Sequence, residues 1–97
     1  MKILLTNDDG YQAAGIQSLF NILGQKHQVV MVAPDRERSA VSHSITLHHP
    51  VRMHRIESDS QRKIYAVDGT PADCVKLGLA ECFSTPPDWV IARINPG

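Results

Sequence analysis

The sequence predicts a Rossmann-like three-layer α/β/α fold with a mostly parallel sheet. Short apolar runs suit strands that are covered on both faces, helix-like segments alternate with these runs, and polar turn residues follow them. The order strand, helix, strand is the crossover unit of a parallel sheet. A chain of 97 residues suits one small domain with a single core.

The first crossover unit takes up the first third of the chain. Residues 3–5 form an apolar run that predicts a buried strand, and residues 29–33 form another, which Pro34 is expected to end. Residues 15–24 between them predict a helix that closes at Gly24. Its apolar positions follow helical spacing and are Ile16, Leu19, Phe20 and Leu23.

The middle of the chain predicts strands that are exposed on one face. Residues 44–48 and 51–56 alternate polar and apolar side chains and are separated by His49-Pro50, so we expect two half-exposed strands that pair antiparallel. Residues 57–62 predict a polar turn, and residues 63–67 predict a further short strand.

A second helix is predicted to begin after Gly69. Thr70 suits the N-cap, Pro71 suits the first helical position, and Asp73 suits the positive end of the helix dipole. We expect this helix to run to about Phe83. The side chains expected on its apolar face are Val75, Leu79 and Cys82.

Residues 89–94 predict a final strand that is mostly apolar. In a parallel sheet a following helix would cover this strand, and without such a helix apolar surface is left bare. We therefore expect either that the chain is a fragment of a longer protein or that another subunit covers this face.

The composition limits the classes of partner and compartment. Ten basic and ten acidic residues cancel, so no overall charge draws the chain to nucleic acid or to a membrane surface. No segment approaches the ~20 apolar residues of a membrane span, and no signal peptide is predicted. Cys74 and Cys82 are too far apart on one helix for a disulfide or a zinc pair, so we expect buried reduced thiols in a cytoplasmic protein.

Polar residues follow three of the predicted strands, at the edge where ligands bind in open α/β sheets. They are Asp8 and Asp9 after the first strand, Ser39 and Ser42 in the loop after the second, and Asn95 after the last. Adjacent carboxylates repel each other and need a cation, and oxygen donors of these kinds are accepted by Mg²⁺ and Mn²⁺. The pattern predicts a divalent metal site that is open to a phosphate oxygen. For the acidic pair alone, a solvated Asp-Gly turn remains the alternative.

Gly69 and Thr70 form a second candidate element at the start of the second helix. Backbone N–H groups at a helix N-terminus favour an anion, although a plain capping turn explains these residues equally well. Gly10 suits a tight turn or a close ligand approach, and His43 is a further candidate for a phosphate contact.

Four segments, in order, resemble the motifs of the SurE family, the stationary-phase survival protein nucleotidases. The segments are residues 1–16, which include Asn7-Asp8-Asp9-Gly10, residues 33–46, residues 68–75, which include Asp68-Gly69-Thr70-Pro71, and residues 87–95. The resemblance covers nearly the whole chain at the spacing of that family. Because family members are much longer, it implies that residues 1–97 are the N-terminal part of a SurE-like nucleotidase domain with an apparently truncated fold.

The resemblance implies a metal-dependent phosphatase that hydrolyses nucleoside 5′- and 3′-monophosphates to nucleoside and phosphate. It implies Mg²⁺ or Mn²⁺ as the cofactor and a catalytic pair, Asp8 and Asp9, with Asp9 orienting or deprotonating the attacking water. The metal ligands carried over are Asp8, Asp9, Ser39 and Asn95, and the phosphate or substrate contacts are Asn7, Gly10, Ser42, Gly69 and Thr70. For the full-length protein the resemblance implies a homo-oligomer, either a dimer or a tetramer.

The fourth motif departs from the family pattern. It usually reads Ser-Gly-Ile-Asn-x-Gly, whereas this chain has Arg93 in place of the first glycine and Pro96 after Asn95. Because half of the family's site is absent, we expect weak or no phosphatase activity from this chain. The alternative function is a truncated non-catalytic remnant that binds metal or associates with a full-length relative. A two-component receiver domain is disfavoured, because no Lys follows a fifth strand.

Overall fold

Five strands and two helices make up the part of the chain that the computed structural model describes, which is residues 1–37, 51–58 and 62–93. In chain order the elements are β1 (Lys2–Asn7), α1 (Ala14–Gly24), β2 (Gln28–Pro34), β3 (Met53–Ser58), β4 (Arg62–Val67), α2 (Pro71–Glu81) and β5 (Trp89–Arg93). The predicted order of strands and helices is confirmed for these ranges.

The strands form one sheet in the order β3-β4-β2-β1-β5. Strands β4, β2, β1 and β5 are parallel, and β3 pairs antiparallel with β4 at one edge. Helix α1 packs on one face and α2 on the other, because the buried residues separate into two clusters. The predicted three-layer α/β/α fold with a mostly parallel sheet is confirmed.

Each face of the sheet has its own core. On the α1 face, Ile16 and Phe20 are fully buried against alternate residues of β1 and β2. Burying one such side chain stabilises the fold by about 1.5–3 kcal/mol. On the α2 face, Leu4 and Val32 pack with Cys74 of α2. Because β1 and β2 contribute to both clusters, their side chains are buried on both sides, as their apolar runs predict.

Helix α2 begins as the sequence predicts. The Thr70 hydroxyl accepts a hydrogen bond from the Asp73 amide at 3.2 Å, and the Thr70 amide donates to Asp73 Oδ2 at 2.9 Å. This reciprocal pair is a capping box, with Pro71 in the first turn. The helix ends at Glu81, two residues before the predicted Phe83.

The predicted apolar face of α2 is partly wrong. Leu79 is 43% exposed, and the helix residues that are buried are Cys74 and Gly78. Val75 and Cys82 are half-buried at the margin of the same core cluster. Helix α2 contacts the sheet through Gly78, so Leu79 lies outside the buried face of the helix.

Strand β3 pairs antiparallel with β4, a pairing that the sequence did not indicate. Residues 44–48, the partner expected from the sequence, lie outside the described residues, so that pairing stays a prediction. The predicted polar turn at 57–62 is wrong at its ends, because Glu57 and Ser58 belong to β3 and Arg62 begins β4. Strands that are close in the chain pair readily, and an irregularity between Arg55 and Glu57 adjusts the register.

Pro34 is the last residue of β2 and pairs with Val67 of β4. The strand therefore includes Pro34 and does not end at residue 33. Proline lacks an N–H but keeps its carbonyl, and here the Pro34 carbonyl accepts a hydrogen bond from the Tyr11 amide at 2.9 Å. The end of a strand tolerates the missing donor.

Strand β5 is largely exposed among the described residues. Trp89 is 57% exposed and Val90 is 44% exposed. Both cysteines are free thiols, but only Cys74 is buried, and Cys82 is half-buried. Neither helix in the described ranges is long and apolar enough to cross a membrane.

Candidate active site at the carboxyl edge of the sheet

The four parallel strands end at one edge of the sheet. Helix α1 connects β1 to β2, which is the neighbour of β1 on one side in the sheet. Helix α2 connects β4 to β5, which is the neighbour of β1 on the other side. The direction of the strand order therefore reverses between β1 and β5. In open α/β sheets, ligands bind in the crevice at this reversal.

Strand β1 leads directly into the two adjacent carboxylates. Asn7, its last residue, is 1% exposed and Asp8 is 4% exposed, while Asp9 is half-buried. Burial removes hydration from Asp8, and the next residue in the chain carries a like charge. Carboxylate oxygens are the donors that a hard divalent cation prefers. These two residues therefore fit such an ion.

The loop after β1 is closed by Asn7 and Gly10. The Asn7 side-chain Nδ2 donates to the Gly10 carbonyl at 2.9 Å, and the Gly10 amide donates to Asn7 Oδ1 at 3.1 Å. Gly10 has a φ of +105°, and an ideal Cβ on it would lie 3.2 Å from the backbone carbonyl carbon of Arg36. Only glycine meets both conditions without strain. This closed turn fixes the direction in which Asp8 and Asp9 leave the strand.

Backbone hydrogen bonds tie the neighbouring strand ends together. The Tyr11 amide, which follows the acidic loop, is bonded to Pro34 at the end of β2, and the Asp35 amide donates to the Val67 carbonyl at the end of β4 at 2.8 Å. The Asp68 amide in turn donates to the Arg52 carbonyl at 2.8 Å. The edge that carries the predicted site is thus held as one unit from β1 to β4.

Gly69 and Thr70 follow β4 at the same edge. With strands about 4.8 Å apart, the end of β4 lies about 10 Å from the end of β1, since β2 separates them. The Thr70 hydroxyl is engaged with Asp73 in the capping box. Gly69 is buried against Asp73, because an ideal Cβ on it would be 2.7 Å from Asp73 Oδ2.

Three predicted site residues cannot be placed at this edge. Ser39, Ser42 and Asn95 lie outside the described residues, as does His43. Within residues 1–37, 51–58 and 62–93, no three His, Cys, Asp or Glu side chains form a group that could hold a metal ion. The predicted ligand set, which combines Asp8 and Asp9 with a hydroxyl and an amide from those other positions, stays a prediction.

Two acidic residues at this edge were not among the predicted site residues. Asp35 follows β2 and Asp68 follows β4, so both stand at the same edge as Asp8. Asp35 forms an ion pair with its neighbour Arg36 at 3.7 Å. The signal that would have identified them is the one used for Asp8, namely a carboxylate directly after a buried strand.

The chain is similar in sequence to proteins of a known family. The family described as Survival protein SurE matches residues 3–97. The 5′-nucleotidase SurE of Thermoanaerobacter sp. (strain X514) is 53% identical over 97 residues, which is 100% of this chain and 38% of the relative. The 5′-nucleotidase SurE of Geotalea uraniireducens (strain Rf4) is 55% identical over 97 residues with the same coverage.

A solved structure shows the same likeness. The crystal structure of the SurE protein from Aquifex aeolicus superposes with a TM-score of 0.78 and is 43% identical, covering 100% of this chain and 38% of that one. The chain therefore spans well under half the length of the relatives that it matches.

Proposed function

Since the chain belongs to the SurE family, we propose that it carries part of the active site of a metal-dependent phosphatase that hydrolyses nucleoside 5′-monophosphates, and also 3′-monophosphates, to nucleoside and phosphate. One structural observation carries this proposal. The acidic pair Asp8 and Asp9, with Asp8 only 4% exposed, stands at the end of β1 where the strand order reverses.

The proposed cation is Mg²⁺ or Mn²⁺, held by Asp8 and Asp9 together with Ser39 and Asn95. When bound, it would supply positive charge to the phosphoryl oxygens and lower the pKa of a water in the site. The support from this structure is the chemistry of the donors, since the buried carboxylate of Asp8 and the neighbouring carboxylate of Asp9 are oxygen ligands of the kind that a hard cation prefers.

The residues of this chain have separate roles in the proposed reaction. Asp9, which is half-buried and so more accessible than Asp8, accepts a proton from the attacking water. The water oxygen forms a new bond to phosphorus as the bond between phosphorus and the nucleoside oxygen breaks, and the departing nucleoside oxygen takes up a proton from solvent. Asn7 and Gly10 hold the acidic loop through their hydrogen bonds. The proposed phosphate or substrate contacts are Asn7, Gly10, Ser42, Gly69 and Thr70.

The alternative that we propose is a non-catalytic remnant that binds metal or associates with a full-length relative. We also propose a cytoplasmic location, because the free thiols Cys74 and Cys82 suit a reducing compartment, and a homo-oligomer for the whole protein.

Two measurements test the proposal. Thermal unfolding with and without Mn²⁺ measures metal binding, and phosphate release from nucleoside monophosphates measures catalysis. We expect Mn²⁺ at 100 times its dissociation constant to stabilise the protein by about 2.7 kcal/mol, and Asp8→Asn to abolish this effect. Glu57→Gln, an exposed carboxylate on β3, is the matched control that retains it.

The outcomes separate the candidate functions. Metal binding with phosphate release that is lost in Asp8→Asn supports the phosphatase. Metal binding without phosphate release supports the remnant. Equal stabilisation of Asp8→Asn and of the unaltered protein would show that the acidic pair does not hold the cation.

A further inference from the structure

Arg93 is the last residue of β5 and lies beside the acidic loop. It is the register partner of Asn7, the residue that precedes Asp8. Neighbouring parallel strands are about 4.8 Å apart, so the Arg93 backbone borders the crevice between β1 and β5 directly. This crevice is where the strand order reverses and where the proposed reaction takes place.

The Arg93 side chain rests on Gly15, in the first turn of α1. An ideal Cβ on Gly15 would lie 3.0 Å from both Cζ and Nε of Arg93 and 3.1 Å from Nη2. These three guanidinium atoms are at nearly the same distance from the Cβ position of Gly15. The guanidinium plane therefore lies across the space that a side chain at position 15 would occupy. Gly15 provides the space for Arg93, and the contact fixes the guanidinium on the α1 side of the crevice.

The charge of Arg93 remains available to a ligand. The residue is exposed, and within the described parts of the chain its guanidinium takes part in no hydrogen bond or ion pair. It therefore does not neutralise Asp8 or Asp9, although it stands on the neighbouring strand. An arginine on the strand beside the acidic loop that does not pair with that loop is suited to an anion that enters between the two strands.

We propose that Arg93 binds the phosphate group of the nucleoside monophosphate, so that it is a substrate-binding residue of this chain. The inference rests on the proposed function and deepens it. The planar guanidinium presents paired N–H donors whose spacing matches two oxygens of a phosphate. A phosphate in the crevice would then contact the guanidinium as well as a cation held by Asp8 and Asp9, and its negative charge would be spread over two positive groups.

The first test compares adenosine 5′-monophosphate with adenosine, which lacks the phosphate, by calorimetric titration of the protein in Mn²⁺. We expect Arg93→Ala to weaken binding of the monophosphate roughly ten- to a hundredfold, the usual loss for a charged hydrogen bond, and to leave adenosine binding unchanged. Arg93→Lys keeps the charge but lacks the paired donors, so its affinity for the monophosphate should lie between those of the unaltered protein and Arg93→Ala. Arg55→Ala, an exposed arginine on β3 at the far edge of the sheet, is the matched control.

The second test uses the contact with Gly15. Gly15→Ala leaves Arg93 in the chain but places a methyl group where the guanidinium rests, so it should weaken monophosphate binding. In an Arg93→Ala background the same change should have no further effect. Helix content measured by circular dichroism shows that α1 is intact in each variant.

The results distinguish this inference from the proposed function. Monophosphate binding that is unchanged in Arg93→Ala would overturn this inference and leave the proposed function standing. Adenosine binding that is weakened as much as monophosphate binding would also overturn it, because Arg93 would then contact the nucleoside. If the unaltered protein binds neither the monophosphate nor Mn²⁺, the proposed function fails and the role of Arg93 fails with it.

Discussion

Gly78 of α2 lies directly over Leu4 of β1, because an ideal Cβ on Gly78 would be 2.8 Å from Leu4 Cδ1 and 3.0 Å from Leu4 Cδ2. Leu4 is fully buried, so it has little room to move away. The absence of a side chain at position 78 sets how closely the crossover helix approaches the centre of the sheet.

We expect Gly78→Ala to lower the free energy of unfolding by about 1 kcal/mol. Overpacking a core costs about 1–3 kcal/mol, and the better helix propensity of alanine returns about 1 kcal/mol. Urea unfolding measures the change. In a Leu4→Ala background, where the obstructing methyl groups are gone, the same substitution should be neutral or stabilising. If Gly78→Ala instead raised the free energy of unfolding by about 1 kcal/mol in the unaltered background, the close contact between position 78 and Leu4 would be contradicted.

Asn7→Asp should destabilise the protein by about 1–3 kcal/mol, because the buried Gly10 carbonyl loses its donor. The new carboxylate would also stand next to Asp8 and Asp9. Ionising it in a buried position is unfavourable, so its pKa is raised in the folded state and the stability loss should be larger at pH 7 than at pH 4.

Asn21→Asp is the control for this substitution. Asn21 is exposed on α1 and accepts a hydrogen bond from Arg62 through Oδ1, a role that a carboxylate can keep. Chemical unfolding at the two pH values should show less than about 0.5 kcal/mol of change there. A pH-independent loss in Asn7→Asp would mean that repulsion within the acidic loop is unimportant.

Thr70→Ala should lower the free energy of unfolding by about 1 kcal/mol, the usual cost of removing an N-cap side chain. The Asp73 amide then loses its acceptor at the start of α2. Thr70→Ser retains the hydroxyl and should be close to the unaltered protein in thermal unfolding. Equal losses in the two variants would indicate that the methyl group, and not the cap, is responsible.

Cys82 should react slowly with iodoacetamide at neutral pH. Burial raises the pKa of the Cys82 thiol, the Lys63 ammonium opposes this rise, and the Glu81 carboxylate adds to it. Lys63→Gln should therefore slow alkylation further and Glu81→Gln should accelerate it, because only the thiolate reacts. Mass spectrometry of the modified peptide separates Cys82 from the buried Cys74.

The same pKa direction sets how the Cys82 thiol affects stability. A raised pKa means that the folded state holds the thiol proton more tightly, so this stabilising contribution is complete below the ordinary thiol pKa and is lost as the pH rises through the higher folded value. Cys82→Ser should reduce the decline in unfolding free energy at alkaline pH. An unchanged decline would show that other groups cause it.

Local signals predicted the elements that depend on local chemistry. The start of α2 follows from three neighbouring residues, Thr70, Pro71 and Asp73, whose hydrogen bonds are made within one turn. The strands β1 and β2 follow from unbroken apolar runs, since both faces are buried wherever helices cover a parallel sheet. The fold class could be predicted because these signals alternate along the chain.

Features that depend on distant partners could not be predicted in the same way. Leu79 was expected in the core because it is large and apolar, but the closest approach of α2 is made by Gly78, which carries no hydrophobic signal. The pairing of β3 with β4 was not predicted, because alternation identifies a strand without identifying its neighbours.

The candidate site also contains features that local sequence signals predict and features that depend on distant partners. The position of Asp8 and Asp9 at the edge of the sheet follows from the end of an apolar strand, and the described structure has them there. The contact between Arg93 and Gly15 has no sequence signal, because it depends on how β5 and α1 are placed in three dimensions. The roles of Ser39, Ser42 and Asn95 remain predictions.

The exposure of β5 has a practical consequence for solution studies. Trp89 is the single tryptophan of the chain and lies on β5, which is an edge strand of the sheet that the described residues form. A hydrated indole emits at longer wavelengths than one enclosed by apolar side chains. Fluorescence of the unlabelled protein therefore reports occupancy of this edge, and a blue shift on mixing with another polypeptide would register the moment at which the edge is covered.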